Sequence, residues 1–395
     1  MTSNRTTTRV CHRSDIIETL LTKGDMSRAN LAKKLKISKP AIADNVEQLI
    51  EEELVFEVGE GSSSPKGGRK PRLLRFNKRY RGIVVICLSG QYPIIAVGDL
   101  AGDILAETKL PVSSSSAKEQ KLEFLIASIG KLTEDAGNIE IGAIVITSPG
   151  IFSSDNKLIY AHKQHGWVDA KLWDEFTKYL EVPVIIKNDM SAAALGEFTL
   201  GNGLGCTDVV YVSCGSGLGA GLIINGKLYE GKNYAAGEIS FLTNRELIKN
   251  GETIEDRITT SAILKKIDKD IKANRASNHV CNLYKKKGRI DFEDIVALVN
   301  INDSYTVELV KGIAVDLGVA LVNISTVLDV ERIVLGGDFL AFFETLKSPI
   351  SNILTELVPF PPQFAPSALG NKVAIFGGLI FGRGRLLQEL NYAPL

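Results

Sequence analysis

Asn188 and Asp189 are two neighbouring polar residues whose position in the chain could support ligand binding. They follow Val184–Ile186, a short apolar run that predicts a buried parallel strand. They precede Ser191–Leu195, an alanine-rich run that favours a helix. Side chains at the carboxyl end of such a strand face the crevice where open α/β sheets bind ligands. Asp189 is equally well placed to cap the helix, so this segment alone leaves both interpretations open.

A glycine-rich segment at 214–221, which reads C-G-S-G-L-G-A-G, is a second candidate. Gly215, Gly217 and Gly219 alternate with other residues, and this spacing lets backbone N–H groups crowd around an anion. A single glycine loop is a weak signal, because it is often only a tight turn. Together with the polar pair at 188–189 it favours a binding cleft.

The body of the chain, residues 81–395, shows one pattern of a strand meander followed by helices twice. The first copy has strands at 82–88, 94–97 and 103–107 and a helix at 118–132. The second has strands at 209–213, 220–224 and 227–229, with Asn225-Gly226 as a hairpin turn. The repeat predicts two similar α/β lobes with a cleft between them.

The remaining segments of the body complete this outline. Strands are predicted at 141–146 and 331–335, and helices at 172–180, 311–324 and 376–390. We expect a loose loop near Asn274–Lys287 and a proline-rich loop at 359–366.

The first 80 residues have the features of a helix-turn-helix. Helices are predicted at 14–21, at 28–35 after a Ser27 cap, and from Ser38 onward, where Pro40 lies near the helix start. Two short helices joined by a tight turn predict the motif. The start of the third helix offers candidate contacts to base edges or phosphates, which are Ser38, Lys39, Ala41, Asp44 and Asn45.

A basic hairpin follows the helices. Strands predicted at 54–58 and 73–76 flank a flexible, cationic tip whose candidate DNA contacts are Lys66, Arg69 and Lys70. Such a tip is thin enough to enter a minor groove, so the head is interpreted as a winged helix-turn-helix. The alternative is a small helical dimerisation module with a charged loop. The coincidence of turn, caps and basic tip favours DNA binding.

Charge is distributed unevenly along the 395 residues, although the formal net charge is zero. Residues 1–80 hold 16 Lys and Arg against 10 Asp and Glu, a net of +6, and the remainder is −6. This predicts that only the head meets a polyanion. The five cysteines are scattered, which favours a reducing cytoplasm over a disulfide framework. We expect no signal peptide and no membrane partner, because no apolar run approaches about 18 residues.

Together these segments resemble the ROK family (repressors, open reading frames and sugar kinases) over nearly the whole chain. The segment 187–197, K-N-D-M-S-A-A-A-L-G-E, is similar to the family's sugar-site segment. A-A-G-E-I-S-F at 235–241 and N-G-E-T-I-E-D-R at 250–257 resemble segments that supply sugar-binding glutamates. L-G-G-D-F at 335–339 resembles the adenosine-side glycine motif.

The resemblance implies roles for particular residues. Asn188, Asp189, Glu238 and Glu255 would bind sugar hydroxyls, and Asp189 would stand at the base position of the kinases. The turn with Gly215, Gly217 and Gly219 would be a vestigial second phosphate loop. The implied fold class is α/β: an N-terminal winged helix-turn-helix followed by a two-lobed actin-like ATPase (ribonuclease H-like) sugar-kinase fold.

The implied division has three parts. These are the DNA-binding domain 1–80, a first lobe 81–187 with the C-terminal helix 376–395, and a second lobe 188–375 with the sugar cleft between the lobes.

Two departures from the family pattern argue against catalysis and against a metal. The segment 87–93, C-L-S-G-Q-Y-P, stands where the kinases have an Asp-x-Gly-x-Thr phosphate loop. Phosphoryl transfer depends on charge neutralisation around the phosphates, so we expect no catalytic residues, and ATP binding is disfavoured. Phe241 stands where the family's zinc-binding histidine would be, and residues 243–254 contain no cysteine. Structural zinc needs about four N or S ligands, so we expect no zinc and no cofactor.

The leading hypothesis is a repressor of carbohydrate-utilisation genes that binds a palindromic double-stranded operator and releases it when sugar binds. A homodimer is expected, with a tetramer as the alternative, and the location would be cytoplasmic. The effector could be xylose, glucose or a short glucoside. The first alternative is an active ATP-dependent sugar kinase with an accessory DNA-binding head. The second is a dimerisation scaffold without ligand.

Overall fold

The computed structural model describes residues 2–60, 70–89, 92–113, 115–160, 167, 170–178, 181–390 and 392. The chain divides into two compact units. The first comprises Met1–Ser148, Lys163–Lys187 and Gly378–Leu395, and the second comprises Pro149–His162 and Asn188–Gly377. The predicted three-part division stays a prediction, although segment 149–162 groups with the second unit and not with the first lobe.

The head begins the first unit. Its elements are α1 (Thr2–Lys23), β1 (Met26–Ser27), α2 (Arg28–Leu35), α3 (Lys39–Glu51), β2 (Val55–Glu60) and β3 (Arg72–Phe76). The strands form an antiparallel sheet in the order β1-β3-β2. The predicted helix-turn-helix and hairpin are therefore confirmed, with a third short strand added at β1.

Local capping explains where the head helices begin and end. Gly24, with φ of 75°, donates its N–H to the Leu20 carbonyl and ends α1. The Ser27 hydroxyl accepts the N–H of Asn30, and the Ser38 hydroxyl accepts the N–H of Ala41. Both caps are as predicted. The apolar faces of these helices meet in a core whose buried members are Ile16, Ile17, Leu20, Leu31, Ile42, Val46 and Leu49.

The middle of the chain builds the first α/β sheet. The elements are β4 (Gly82–Cys87), β5 (Ile94–Gly98), β6 (Ile104–Lys109), α4 (Lys118–Asp135), β7 (Ile141–Ser148), β8 (Ile151–Phe152), β9 (Leu158–Tyr160), α5 (Ala170–Thr177) and β10 (Val184–Asn188). The sheet order is β10-β7-β4-β5-β6, in which β4, β5 and β6 are an antiparallel meander and β4 pairs with β7 in parallel. Strands β8 and β9 pair only with each other in the second unit.

The second unit repeats this plan. Its first elements are α6 (Asp189–Leu200), β11 (Val209–Cys214), β12 (Leu218–Ile224), β13 (Lys227–Leu228), α7 (Arg245–Asn250), α8 (Glu255–Ile258), α9 (Thr260–Lys272), α10 (Asn278–Lys287) and α11 (Phe292–Asn300). They are followed by α12 (Ser304–Leu328), β14 (Arg332–Gly336), α13 (Phe343–Leu357) and β15 (Gln363–Pro366). The order β13-β12-β11-β14-β15 again combines an antiparallel meander with parallel strands. The repeated lobe predicted from the sequence is confirmed.

Two expectations for the second unit are wrong. Most of the predicted loose loop is α10, which the Ser277 hydroxyl caps by accepting the N–H of Val280, and Val280 is fully buried. Part of the proline-rich segment is β15, which pairs in parallel with β14. In both cases burial or strand pairing with distant parts of the unit outweighs a polar or proline-rich local composition.

The last helix, α14 (Val373–Glu389), starts in the second unit and continues in the first. In the second unit, a Cβ on Gly377 would lie 1.7 Å from the Ala192 carbonyl oxygen, so only glycine allows this approach to α6. In the first unit, Gly378 and Gly382 pack against Val85 and Ile83 of β4. Helix α14 thus packs against α6 in the second unit and against β4 in the first.

Candidate functional site

The site begins where β10 ends and α6 starts. The side-chain oxygen of Asn188 accepts the N–H groups of Met190 and Ser191, at 2.9 and 3.0 Å. Its amide nitrogen donates to the Gly150 carbonyl at 2.9 Å. Asn188 is therefore the N-cap of α6, so the alternative interpretation, in which Asp189 is the cap of this helix, is wrong. With its oxygen occupied twice, Asn188 has one N–H left to offer a ligand.

Asp189 is the first residue of α6, and 6% of its surface is exposed. One carboxylate oxygen accepts the N–H of Met190 at 3.0 Å, where the positive end of the helix dipole favours a negative charge. Burial raises the pKa of the Tyr211 hydroxyl, and the carboxylates of Glu197 and Asp189 add to this effect. The Asp189 carboxylate thus affects the pKa of a buried hydroxyl in the core of the second unit.

Helix α6 lies against β12 at two glycines. A Cβ on Gly219 would lie 2.9 Å from the Met190 side chain, and one on Gly221 would lie 2.1 Å from the Met190 carbonyl oxygen. Both residues are inside β12, with Gly219 paired to Ser213. Gly219 was predicted as part of the phosphate loop, but in the structure it belongs to the strand. The turn itself is Gly215, Ser216 and Gly217.

Glu238 is held against the same strand. Its neighbour Gly237, with φ of 88°, accepts the N–H of Ala220 at 2.9 Å, and a Cβ there would lie 2.1 Å from the Ala220 carbonyl oxygen. Only glycine permits this approach. Glu238 follows at the start of a short 3₁₀ turn, Ile239–Phe241, and is half-buried.

Glu255 lies beside the turn that precedes β12. It is the first residue of α8, and its Oε1 lies 3.6 Å from the position that a Cβ on Gly217 would take. The N–H of Thr260 donates to the Gly215 carbonyl at 2.7 Å and fixes the far end of α8 against the turn. The residues predicted to bind sugar therefore all belong to elements that flank β12 or its preceding turn, within the second unit.

Asp338, to which the sequence analysis assigned no role, contacts the turn Gly215–Gly217 and is not among the residues predicted to bind sugar. It follows β14, and its Oδ2 accepts the N–H of Ser216 at 3.0 Å. A cavity of about 550 Å³ adjoins it, with Phe292, Glu293 and Asn371 also in the lining. An aspartate inside the L-G-G-D-F motif is the signal that could have drawn attention to it.

The segment 87–93, which stands where the kinases have their first phosphate loop, can be described only in part. Cys87 ends β4 and is buried, and the N–H of Leu88 donates to the Thr147 carbonyl at 2.8 Å. Residues 90 and 91 lie outside the described part of the chain.

In the described part, no group of three or more His, Cys, Asp or Glu is arranged to hold a metal ion.

At the start of α3, most of the residues predicted to contact DNA are accessible, and their role stays a prediction. Ser38, Lys39 and Asp44 are exposed, and Ala41 is partly exposed. Asn45 is 5% exposed, and its amide donates to the Ala41 carbonyl at 2.6 Å, so its expected exposure is wrong. It lies three residues after Ile42 and four before Leu49, on the apolar face of the helix.

In the wing, Lys70 is exposed and lies 3.8 Å from the Glu60 carboxylate, whereas Lys66 and Arg69 lie outside the described residues. Other basic residues of the head form ion pairs within it. Hydrogen bonds from Arg72 and Arg28 lower the pKa of Glu57, and one from Arg75 lowers the pKa of Asp25. These three arginines are therefore paired with carboxylates inside the head, and the net positive charge of the head comes from its other basic residues.

No helix among the described residues is both long and apolar enough to cross a membrane.

Known proteins resemble this chain in both parts. The xylose repressor of Bacillus subtilis (strain 168) is 26% identical over 375 residues, which are 92% of this chain and 92% of that protein. A winged helix-turn-helix DNA-binding family model matches residues 12–55. The head that the sequence predicted is thus recognised independently of the body.

Two solved structures show the same fold. One is a ROK family transcriptional regulator, a homologue of the E. coli MLC protein, with a TM-score of 0.77, 21% identity, and coverage of 97% of this chain and 98% of that chain. The other is a ROK family glucokinase from Streptomyces griseus in complex with glucose and AMPPNP, with a TM-score of 0.64, 22% identity, and coverage of 76% and 99%. The body therefore has a sugar-kinase-like fold. Because the ROK family model matches residues 85–383, most of the sequence, the chain belongs to the ROK family.

Proposed function

We propose that this protein is a DNA-binding transcriptional repressor whose affinity for its operator falls when a sugar binds in the second unit. The observation that carries the proposal is the arrangement of Asn188, Asp189, Glu238 and Glu255 along β12, in a chain that also has a winged helix-turn-helix. A ligand site and a DNA reader in one chain are the two parts that such a repressor needs. A cytoplasmic location fits this role.

The chemistry of the site suits a sugar. Each carboxylate can accept two or more hydroxyl donors, and Asn188 can donate one hydrogen bond to a sugar oxygen. Several such groups in fixed positions recognise a ring by the directions of its hydroxyls. Xylose is the first sugar to test, because the xylose repressor of Bacillus subtilis matches nearly the whole chain.

Induction requires two states of the protein, one that binds the operator more tightly and one that binds the sugar more tightly. A coupling free energy of about 1–3 kcal/mol is typical of such linkage. We propose a two-fold homodimer on a palindromic operator, whose recognition helices would be about 34 Å apart or a multiple of it. A small change in that spacing weakens both half-site contacts together.

The experiment titrates the full chain against a duplex selected from a random pool, with and without sugar. We expect saturating sugar to raise the Kd for the duplex by at least about tenfold, which corresponds to about 1.4 kcal/mol. Asp189→Asn should bind the duplex as wild type does and lose the sugar response. Asp268→Asn, at a partly exposed aspartate of α9 that pairs with Lys272, is the matched control and should keep it. An operator affinity that no sugar changes would refute the induction model.

The alternative function is sugar phosphorylation, and the fold shared with a ROK family glucokinase favours it. Asp189 would then take the proton from the attacking hydroxyl. Cys87, Leu88 and Ser89 offer no carboxylate at the first loop to help hold a Mg²⁺–phosphate cluster. Release of ADP from ATP with a panel of aldoses distinguishes the two functions, and turnover at a kinase-like rate would favour the enzyme.

A further inference from the structure

We propose that Asp338 acts as a built-in anion at the turn Gly215–Gly217, so that the turn rejects nucleotide phosphates. This inference goes beyond the repressor assignment and does not depend on it. Asp338 would be a specificity-determining residue, and it is not among the residues proposed to bind sugar.

The contact places a carboxylate where an external anion would bind. Oδ2 of Asp338 accepts the N–H of Ser216 at 3.0 Å. A Cβ on Gly215 would lie 2.6 Å from the same oxygen, so the carboxylate lies directly against the glycine. The N–H of Gly215 is itself bonded to the Gly217 carbonyl at 3.0 Å. Backbone N–H groups in a glycine turn form an anion site, and here the chain supplies the anion.

The neighbouring backbone holds Asp338 in this position. Strands β11 and β14 pair in parallel up to Ser213 and Gly336. Gly337, with φ of 74°, then lies so close to the first of these strands that a Cβ would be 2.6 Å from the Cys214 carbonyl oxygen. Directly after Asp338, Phe339 is fully buried in the core of the second unit. Contacts on both sides therefore fix the backbone of Asp338.

The adjoining cavity adds to the rejection of phosphate. Among the described residues that line it, two are acidic, Asp338 and Glu293, and none is basic. A nucleotide entering there would bring its phosphates towards two carboxylates without a lysine or arginine to offset them. Repulsion between like charges disfavours this strongly at short range. Because Asp338 is exposed, its side chain can also turn away, so the effect is a competition and not a permanent closure.

The test measures binding of a fluorescent ATP analogue, mant-ATP, to the full chain with Mg²⁺ and with EDTA. We expect wild type to bind weakly, and Asp338→Asn and Asp338→Ala to bind about tenfold more tightly in both conditions. Asn retains an oxygen that can accept the Ser216 N–H, whereas Ala empties the position. A larger gain in Ala than in Asn would show that occupancy contributes beyond charge. Glu293→Gln, which removes one charge without vacating the turn, is the control and should gain less.

Binding at high salt and binding in the presence of Mg²⁺ test the proposal further. The gain of Asp338→Asn over wild type should shrink at about 1 M salt, where the Debye length is about 3 Å. If neither variant gained affinity, or if wild type bound Mg²⁺-ATP more tightly than both, the proposal would be overturned, since Asp338 would then be neutral or a magnesium ligand. Operator binding and its sugar response, measured in the same variants, should be unchanged, which separates this result from the fate of the repressor proposal. Far-UV circular dichroism verifies that each variant is folded.

Discussion

The Tyr392 hydroxyl donates a hydrogen bond to the Glu52 carboxylate, which joins a residue beyond α14 to the end of α3 in the head. The guanidinium of Arg13 lies 5.0 Å from the centre of the Tyr392 ring and 3.6 Å from Glu52. Burial raises the pKa of the Tyr392 hydroxyl, and the bond to Glu52 adds to the shift, so the group remains a donor at neutral pH. The three side chains connect helices α1 and α3 to the α/β part of the first unit.

Tyr392→Phe should therefore destabilise the head. Removing the hydroxyl deletes one of the partners of the Glu52 carboxylate, which keeps the Gln48 amide and Arg13, so we expect a loss of about 0.5–1.5 kcal/mol in the free energy of unfolding. Urea denaturation, together with the rate of proteolysis within the head, measures it. Tyr229→Phe, at a tyrosine that is 53% exposed, should change neither. Equal stability of the two variants would mean that the Tyr392–Glu52 bond contributes nothing in solution.

Asn45 and Lys39 should respond oppositely to alanine substitution. Asn45→Ala removes a buried hydrogen bond within α3, so we expect a stability loss of about 1 kcal/mol. Lys39→Ala, at an exposed residue, should leave stability unchanged and weaken binding to the selected duplex. Thermal unfolding and duplex titration on both variants provide the comparison. A stable Asn45→Ala variant with altered base preference would restore Asn45 as a reader of sequence.

The wing tip should contribute to DNA binding through charge. Arg69→Ala and Lys70→Ala should each weaken duplex binding and reduce the slope of log K against log salt by about 1. Lys286→Ala, at an exposed lysine of α10, removes the same charge from the second unit and is the control. If all three variants kept the wild-type slope, the tip would have no contact with phosphate.

The Asp25–Arg75 pair should make part of the head's stability depend on pH. The two hydrogen bonds are 2.9 and 2.6 Å long, and the bond from Arg75 lowers the pKa of Asp25 below its ordinary value of 3.8. A group with a lowered folded-state pKa stabilises the fold above its unfolded pKa and loses this effect as pH falls through the folded value.

Relative to Asp25→Asn, the full chain should therefore show a small advantage of under about 1 kcal/mol at pH 5–7, because the pair is near the surface. That advantage should begin to fall as the pH drops below the ordinary value of 3.8 and should vanish below the lowered pKa of Asp25 in the folded protein. Urea midpoints for both proteins across this range measure it. An advantage that persisted at the lowest pH would show that the pair does not cause it.

Glu197 should be the carboxylate of α6 most sensitive to neutralisation. It is fully buried, and its oxygens accept hydrogen bonds from the Ser367 hydroxyl and from the N–H groups of Leu369 and Asn202. Glu197→Gln replaces one acceptor by a donor that faces the Asn202 N–H, so we expect a loss of about 2–4 kcal/mol. Glu344→Gln, at an exposed glutamate of α13, is the control for thermal unfolding. A Glu197→Gln protein as stable as the control would mean that the surrounding loop adjusts.

Elements whose ends are set by hydrogen bonds between neighbouring residues were predicted correctly. Helix α2 has the predicted bounds because the Ser27 hydroxyl caps its start and Lys36, with φ of 57°, ends it. Helix α10 was missed because its sequence is polar and lysine-rich, and burial of Val280 against other helices could not be foreseen. The spacing of Asn45 from Ile42 and Leu49 already indicated burial, so its misassignment came from the interpretation and not from a missing signal.

The residues of the candidate site also differ in how far local sequence predicted them. Asn188 and Asp189 were predicted from a strand that ends before a helix, which is a local pattern. Glu238 and Glu255 came only from the family resemblance, because no local spacing indicates that they approach β12. The motif L-G-G-D-F could have drawn attention to Asp338, but its contact with Ser216 could not be predicted, since it spans 122 positions and depends on how two parallel strands pair.

The carboxylate at the turn has a consequence for engineering this fold. If Asp338 does exclude nucleotide, giving the chain a phosphoryl-transfer activity would require changes in two separate segments, one at position 338 and one near Cys87–Ser89. A substitution at position 338 alone would admit nucleotide without supplying the carboxylate that helps hold a Mg²⁺–phosphate cluster.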